Sequence, residues 1–314
     1  MILIKKLPIP ICGLMLGLAA LGNLIAPYSQ SSRILLGSIS GLIFIMLVLK
    51  LLLFPKVILE GLQNPVIAGV LATFPMGMMI LSTYIKPYVG QFAFAVWIFA
   101  LILNVSLVVY FTKRFIFNFN IKKVFASYFV LYVGIVVGSV TAPAYGMTKL
   151  GQIIFWYGLI VYLPLIPLVL YRVFAVKEIP EPAQPITIIF AAPASLLLAG
   201  YMSSFTDKNL GMVIFLIALS LLMTLYGLIL MIKMLRLKFY PSYSAFTFPF
   251  VISAIAITMA DKYLLSIDKG IPFLKYVVNF ETIWATTMVV YVLFRYIIFI
   301  VKEARAVVKP QTNI

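Results

Sequence analysis

The sequence predicts an all-α integral membrane protein with ten membrane-spanning helices. Three observations lead to this fold class: the composition, the length of the apolar runs, and the distribution of basic residues. Apolar residues make up 64% of the 314 residues and charged residues only 10%, with a mean hydropathy of +1.15. Soluble domains average about 45–50% apolar and about 25% charged residues. The chain has too few polar residues to cover a water-facing surface, so we expect lipid to be its solvent.

Ten apolar runs are long enough to cross a membrane, which takes about 20 residues in a helix. They are residues 7–27, 34–55, 65–85, 89–112, 124–144, 150–174, 185–203, 210–233, 243–261 and 276–301. The connections between them are too short to fold independently. Residues 1–314 are therefore expected to form a single transmembrane domain.

The basic residues predict the orientation of these spans. With ten spans, 17 of the 24 Lys and Arg residues fall on the side that holds both termini, and seven fall on the other side. Cytoplasmic loops of membrane proteins carry the excess of Lys and Arg. We therefore expect both termini to be cytoplasmic, in a multi-pass protein of the inner or plasma membrane of the cell.

The titratable residues argue against several classes of function. The net charge of +16 includes no basic patch interleaved with aromatic residues, so no nucleic-acid partner is expected. The chain has no His and one cysteine, Cys12, so neither a metal site nor a cofactor is predicted. The eight acidic residues lie at or near predicted span ends, which predicts no buried carboxylate of the kind that a proton-coupled pump needs. An enzyme acting on lipids or isoprenoids would need clustered catalytic residues, and none is present.

Residues that break helices are concentrated in the odd-numbered spans. An interior proline frees a backbone carbonyl, and a membrane protein tolerates this only where protein or water meets the freed group. This favours five helical hairpins around a central pore, with the odd spans inside. The alternative is that Gly and Pro only help helices to pack, and the sixth span, which contains Gly158, Pro164 and Pro167, departs from the pattern. The residues predicted to line the pore or kink its helices are Gly13, Gly17, Pro75, Gly138, Pro143, Pro193 and Pro249.

The orientation of the odd spans adds an electrostatic expectation. All five would begin at the cytoplasmic side, so the positive ends of their helix dipoles would surround the cytoplasmic mouth of the pore. Together with the basic residues of that side, this would attract anions.

Four sequence motifs carry a resemblance to a known family. They are Gly13-Leu-Met-Leu-Gly17 in the first span, Asn64-Pro65-Val66 with Phe74-Pro75 in the third, Ala192-Pro193 in the seventh, and Ala245-Phe246-Thr247-Phe248-Pro249 in the ninth. With these motifs the chain resembles the tellurite-resistance/dicarboxylate transporter family, which includes the plant slow anion channels.

The resemblance implies a fold of five hairpins with pseudo-five-fold symmetry around a pore, assembled as a homotrimer. It also implies that Phe248, on the ninth helix, blocks the pore. Phe246 and Phe250 share one helix face and Phe248 points roughly the other way, so only one of these two faces meets the axis. The alternative is that all three are packing or lipid-facing aromatic residues in a chain with 25 Phe.

The function expected from these features is a channel or transporter that passes small anions. No Lys or Arg lies in the middle of a span, which favours small monovalent anions over dicarboxylates. The alternative is a carrier that exports a C4-dicarboxylate, sulfite or tellurite. A multidrug or cation exporter is less favoured, because its site would need a buried acid or an aromatic cage.

Overall fold

The computed structural model describes residues 1–308 of the chain, in which every regular element is a helix. Nine helical segments in this part of the chain are long and apolar enough to cross a membrane, and Ile11–Ile25 is a shorter apolar helix. We number the ten segments along the chain: α1 Ile11–Ile25, α2 Gln30–Leu53, α3 Pro65–Ile85, α4 Gly90–Ile116, α5 Ser127–Tyr145, α6 Thr148–Val176, α7 Glu181–Ser204, α8 Leu210–Met234, α9 Pro241–Ser266 and α10 Leu274–Val308. The protein is thus an all-helical, multi-pass membrane protein.

The first segment differs most from the predicted boundaries. The sequence predicts a span over residues 7–27, whereas α1 begins only at Ile11, after a turn that contains Pro8 and Pro10. A separate short helix, Ile2–Lys6, precedes that turn. Fifteen residues of α-helix extend about 22 Å, which is less than the roughly 30 Å hydrocarbon core. The helix alone is too short to cross the hydrocarbon core, so the turn before it has to supply the rest of the crossing.

The odd segments are interrupted, and the even segments are nearly continuous. A 3₁₀ turn, Gly134–Val136, divides α5, and α7 and α9 begin with the 3₁₀ stretches Glu181–Phe190 and Pro241–Phe246. The α-helix of α3 is interrupted at Ala72. In contrast, α6 keeps its α-helix from Thr148 to Tyr171 although two prolines lie inside it.

Burial separates the same two groups. In α3, α5, α7 and α9, 67–94% of the residues in the apolar stretch are buried, against 28–39% in the even segments. The exposed side chains of the even segments are largely Leu, Ile and Phe. Such a surface suits contact with lipid, whereas the interrupted backbone of the odd segments is shielded by protein, as a membrane requires.

The packing of the segments places the odd ones against one another. Segment α1 contacts α3 and α9, α5 contacts α3 and α7, and α7 contacts α9, so the odd segments form a closed circuit. Each even segment packs against the odd segment that precedes it.

A buried lysine joins the first short helix to α2. Lys50 is only 2% exposed, and its Nζ donates hydrogen bonds of 2.6 Å to the carbonyl oxygens of Lys5 and Leu7. The ammonium therefore satisfies carbonyls at the end of helix Ile2–Lys6 that have no partner within that helix.

Replacing this lysine should weaken the fold. In Lys50→Met the two carbonyls lose their donor, and we expect the free energy of unfolding to fall by about 1–3 kcal/mol. The thermal unfolding midpoint of the purified protein in detergent measures the change. Lys56→Met, at an exposed lysine close by, is the control, and equal midpoints for the two variants would contradict the capping role.

Candidate functional site

A narrow cavity lies between the five odd segments, and we call it the central cavity. Its volume open to the centres of water molecules is about 40 Å³, enough for only a few waters. The residues that line it are Gly13 of α1; Val70, Thr73 and Met76 of α3; Phe129, Val130, Val133 and Gly134 of α5; Ile189, Ala192, Pro193 and Leu196 of α7; and Ser242, Ser244, Ala245, Phe248 and Pro249 of α9.

The lining of the central cavity is apolar with a few hydroxyl groups, and no charged side chain belongs to it. The Thr73 hydroxyl donates to the carbonyl oxygen of Val70 at 2.8 Å, and the Ser242 hydroxyl donates to that of Pro182 at 2.6 Å. Both hydroxyl groups therefore already donate to backbone carbonyls and have no hydrogen left for an ion. The cavity offers an ion only weak polar contacts and no opposite charge.

Of the three phenylalanines at the start of α9, only Phe248 lines the central cavity. Its side chain is 5% exposed. The ring of Phe246 packs against Tyr243 with centroids 4.6 Å apart, and the ring of Phe250 meets Trp284 edge-on at 6.0 Å. These two rings are held by neighbouring aromatic residues outside the cavity lining.

A bend at Thr247 sets the position of Phe248. The backbone of Thr247 has φ −98° and ψ −83°, outside the helical range, and the α-helix of α9 starts at the next residue. The Thr247 hydroxyl lies 2.7 Å from the carbonyl oxygen of Ser244 and 3.1 Å from that of Gly13. Segment α1 therefore holds the bend that immediately precedes the ring in the cavity.

Gly17 makes this close approach possible. A Cβ atom at Gly17 would lie 2.5 Å from Thr247 Oγ1 and 2.6 Å from its Cβ. Real Cβ atoms do not approach other heavy atoms so closely, so this position of α1 has room only for glycine.

The residues predicted from sequence as pore-lining or kinking divide into two groups. Gly13, Pro193, Phe248 and Pro249 line the central cavity. These positions were predicted from their proline or glycine residues and from the family motifs.

The other predicted residues lie outside the cavity lining. Gly17 packs on the bend of α9, and Pro75 is buried within α3. Gly138 faces Leu101 of α4 and Ile154 of α6, and Pro143 is exposed at the end of α5. They belong to inner segments but occupy other faces of them.

Sequence reasoning missed most of the apolar lining. Phe129, Val133 and Leu196 are ordinary core residue types, and nothing in their local sequence distinguishes them from the many other apolar positions. Gly134 is the exception, because a glycine within an apolar run is a signal for an interrupted helix, and a 3₁₀ turn starts there.

A second, wider cavity lies where the odd segments begin, and we call it the mouth cavity. It measures about 430 Å³ and shares Ser242 with the central cavity. Its lining comes from the N-terminal ends of all five odd segments and the residues just before them: Pro10; Asn64, Pro65, Val66 and Ile67; Lys122, Lys123 and Phe125; Pro180, Pro182, Ala183 and Ile186; and Tyr240, Pro241 and Ser242.

The mouth cavity has a positive electrostatic character. Two exposed lysines, Lys122 and Lys123, belong to its lining. The N-termini of the helices that begin at this cavity add partial positive charge. Lys122 forms an ion pair of 2.9 Å with Glu178, and its hydrogen bond and charge hold the pKa of that carboxyl below its usual range. Lys123 forms no ion pair within residues 1–308.

The prediction that no carboxylate is buried is wrong for Glu281. The sequence places Glu281 near the start of the tenth span, but its side chain is only 5% exposed and packs against α9. The reason is an offset between neighbouring helices: Glu281 bonds to Ser253, which lies near the middle of Pro241–Ser266. The other acids in the described part of the chain are half-buried or exposed.

Nothing in the described residues forms a metal site. Across residues 1–308, no group of three or more His, Cys, Asp or Glu side chains lies close enough together to hold a metal ion. The candidate site that the fold offers is a pair of adjoining cavities, a central one lined by apolar and hydroxyl groups and a mouth cavity with positive charge.

A comparison with known protein families matches nearly the whole chain. The family described as voltage-dependent anion channel matches residues 6–297, from the short helix before α1 into α10. The match contains both cavities and confirms the resemblance indicated by the four motifs. No curated protein matches the chain significantly. With nearly its whole length matched, the chain belongs to the voltage-dependent anion channel family.

Proposed function

We propose that the protein conducts small anions through the central cavity and that the ring of Phe248 closes this passage. Membership of the family already makes the protein an anion channel or transporter. The observation that carries the proposal further is the central cavity itself, which is lined by all five odd segments and by Phe248 of the ninth. In the proposed fold, five hairpins surround this passage with pseudo-five-fold symmetry.

The chemistry of the lining supports passage of ions that bind weakly. Conduction requires binding that is favourable enough for entry and weak enough for exit. A lining with no charged side chain and few hydroxyls meets the second condition, and the mouth cavity supplies the attraction. A bulky apolar ring in so narrow a space excludes ions and water sterically, and a change of its rotamer would open the path.

The direct test is ion flux into vesicles that contain the purified protein. We expect chloride or nitrate to cross, with a reversal potential that follows the anion gradient. Current that follows a cation gradient, with no anion flux, would overturn the proposal. Flux of malate, sulfite or tellurite without flux of monovalent anions would instead favour the carrier, the second candidate function.

The lysines of the mouth cavity provide a second prediction. Replacing Lys122 and Lys123 by Gln removes two positive charges and should lower anion flux at low ionic strength by about two- to tenfold, because local charge concentrates the permeating ion. At 1 M salt, where the Debye length is about 3 Å, the difference should largely disappear. The readout is flux measured at both salt concentrations.

A matched control separates this effect from a general change of charge. Lys86 and Lys149 lie at the opposite ends of their segments from the mouth cavity and do not line it. Replacing both by Gln should leave the local concentration of anions at the mouth cavity unchanged. An equal loss of flux in the two double variants would show that the mouth lysines have no special role.

The orientation and assembly follow from the same proposal. We place the mouth cavity and both termini in the cytoplasm, in the cell membrane, because 17 of the 24 basic residues lie on that side. The family resemblance supports a homotrimer with one passage in each subunit. Labelling of single cysteines introduced at exposed Lys123 and Lys149 from either side of the membrane tests the orientation, and the mass of the detergent-solubilised particle tests the trimer.

A further inference from the structure

A buried cluster of one glutamate and two hydroxyl side chains lies at the helix that carries Phe248. The Ser253 hydroxyl of α9 donates a hydrogen bond of 2.9 Å to Glu281 Oε2 of α10. The same hydroxyl lies 2.9 Å from Thr224 Oγ1 of α8. Serine and threonine are at most 2% exposed and the glutamate 5%. One continuous hydrogen-bond chain therefore links three helices at a depth that water does not reach freely.

One helix connects the cluster to Phe248, which lines the central cavity. Ser253 follows Phe248 by five residues on the same uninterrupted α-helix, Phe248–Ser266. Between them, Phe250 meets Trp284 edge-on, and Trp284 lies one turn after Glu281 on α10. This aromatic pair and the Glu281–Ser253 bond are therefore two of the contacts that hold α9 against α10 near Phe248.

No Lys or Arg in residues 1–308 forms an ion pair with the carboxylate. The two ion pairs in residues 1–308 are Lys6–Glu303 and Lys122–Glu178, and neither contains Glu281. None of the titratable side chains on the elements packed around the cluster hydrogen-bonds to it. They are Lys275, Tyr276, Tyr291, Arg295, Tyr296, Lys302, Glu303 and Arg305 on α10; Tyr243, Asp261, Lys262 and Tyr263 on α9; Tyr226 and Lys233 on α8; Glu181 and Tyr201 on α7; Cys12 on α1; and Lys5 and Lys6 on the first short helix. An ionised carboxylate held in this way is costly, and binding a proton removes the cost.

The two protonation states permit different hydrogen-bond directions. An ionised carboxylate only accepts, so Ser253 must donate to Glu281 and Thr224 donates to Ser253. When Glu281 has bound a proton from solution, its O–H also donates, and Ser253 is then free to accept that bond and donate to Thr224. Protonation thus allows the chain across α8, α9 and α10 to reverse. It also weakens the bond that holds α9 to α10, because hydrogen bonds to a charged group are the stronger ones.

We propose that Glu281 is a proton-binding site that controls the passage, with protonation loosening α9 from α10 and thereby changing how firmly Phe248 closes the central cavity. The part of this inference that concerns conduction rests on the proposed function. The proton-binding site itself stands on the buried carboxylate, its hydroxyl partners and the absence of a compensating cation among the described residues.

Two measurements over pH 5 to 8 test the proposal with full-length protein. The first is anion flux into vesicles for the wild type, for Glu281→Gln and for Glu60→Gln, a control at an exposed acid. Glutamine keeps the shape and accepts from Ser253 but binds no proton in this range. We expect flux to change several-fold with pH in the wild type and in Glu60→Gln, and to be nearly flat in Glu281→Gln.

The second measurement does not depend on conduction. Trp284 lies one turn from Glu281, so tryptophan fluorescence of the detergent-solubilised protein should shift with pH in the wild type and not in Glu281→Gln. A fluorescence response without any anion flux would retain the proton site and overturn the proposed function. Equal pH profiles of flux for the wild type and Glu281→Gln, or a wild-type fluorescence that ignores pH, would overturn the present inference.

Discussion

Phe248→Ala is expected to raise anion flux by at least about tenfold, because removing a barrier of only about 1.4 kcal/mol already changes a rate by that factor. Phe248 lines a cavity with room for only a few water molecules, so removal of its ring widens a narrow space between the odd segments. Flux of chloride into vesicles, normalised to the amount of folded protein, measures the change. The increase should be independent of salt concentration, since the obstacle removed is steric.

A neighbouring phenylalanine is the matched control. Phe246 is buried on the same stretch of α9, but its ring packs on Tyr243 and the residue does not line the cavity. Phe246→Ala should lower the free energy of unfolding by about 3–5 kcal/mol without a comparable rise in flux. A folded Phe248→Ala protein that conducts no more than the wild type would disprove the gate, as would an equal rise in Phe246→Ala.

The interruption of the odd segments could be predicted from sequence because its cause is local. Proline removes a backbone donor wherever it lies, and lipid cannot satisfy the group that is freed. The 3₁₀ stretch at the start of α9, which begins at Pro241, and the one in α7, which contains Pro185, are where such residues occur. Fold class therefore follows from residue type and position along the chain, and so does the distinction between inner and outer helices except at α6, an outer helix in which Pro164 and Pro167 are exposed.

The face that a helix presents to the cavity could be predicted only in part. Gly138 and Pro193 are both breakers in inner segments, yet Pro193 lines the central cavity and Gly138 packs toward α4 and α6. Which side of an inner helix meets the axis depends on its rotation, and glycine marks close approach to any neighbour. Nothing in the local sequence separates these two uses.

The depth of a residue in the membrane was predicted wrongly for Glu281, for a tertiary reason. Distance from a helix end measures depth only when neighbouring helices end at the same level. Glu281 is seven residues from the start of α10 but pairs with Ser253, which is 13 residues from the end of α9. The two helices are displaced along their axes, and that displacement is set by packing between them.

Gly17→Ala is expected to destabilise the protein and to increase its basal anion flux. The new methyl group would lie 2.5 Å from Thr247 Oγ1, 2.6 Å from Thr247 Cβ and 3.3 Å from the backbone nitrogen of Phe248. The Oγ1 atom can rotate away, but Thr247 Cβ and the backbone nitrogen cannot, so α1 and α9 must separate. Overpacking of this kind costs about 1–3 kcal/mol. Because the separated contact borders the central cavity, moving Phe248 with the bend of α9 should let more ions pass.

Gly41→Ala is the matched control because no heavy atom lies within 4 Å of the added methyl group. Gly41 is in the interior of α2, where alanine favours the helix by about 1 kcal/mol relative to glycine. The same propensity gain applies to Gly17 in α1, so the difference between the two variants isolates the clash with α9. We expect the unfolding midpoint of Gly17→Ala in detergent to fall below that of Gly41→Ala by several degrees. If the two midpoints and the two basal fluxes are equal, the close contact between α1 and the bend of α9 does not hold Phe248 in place.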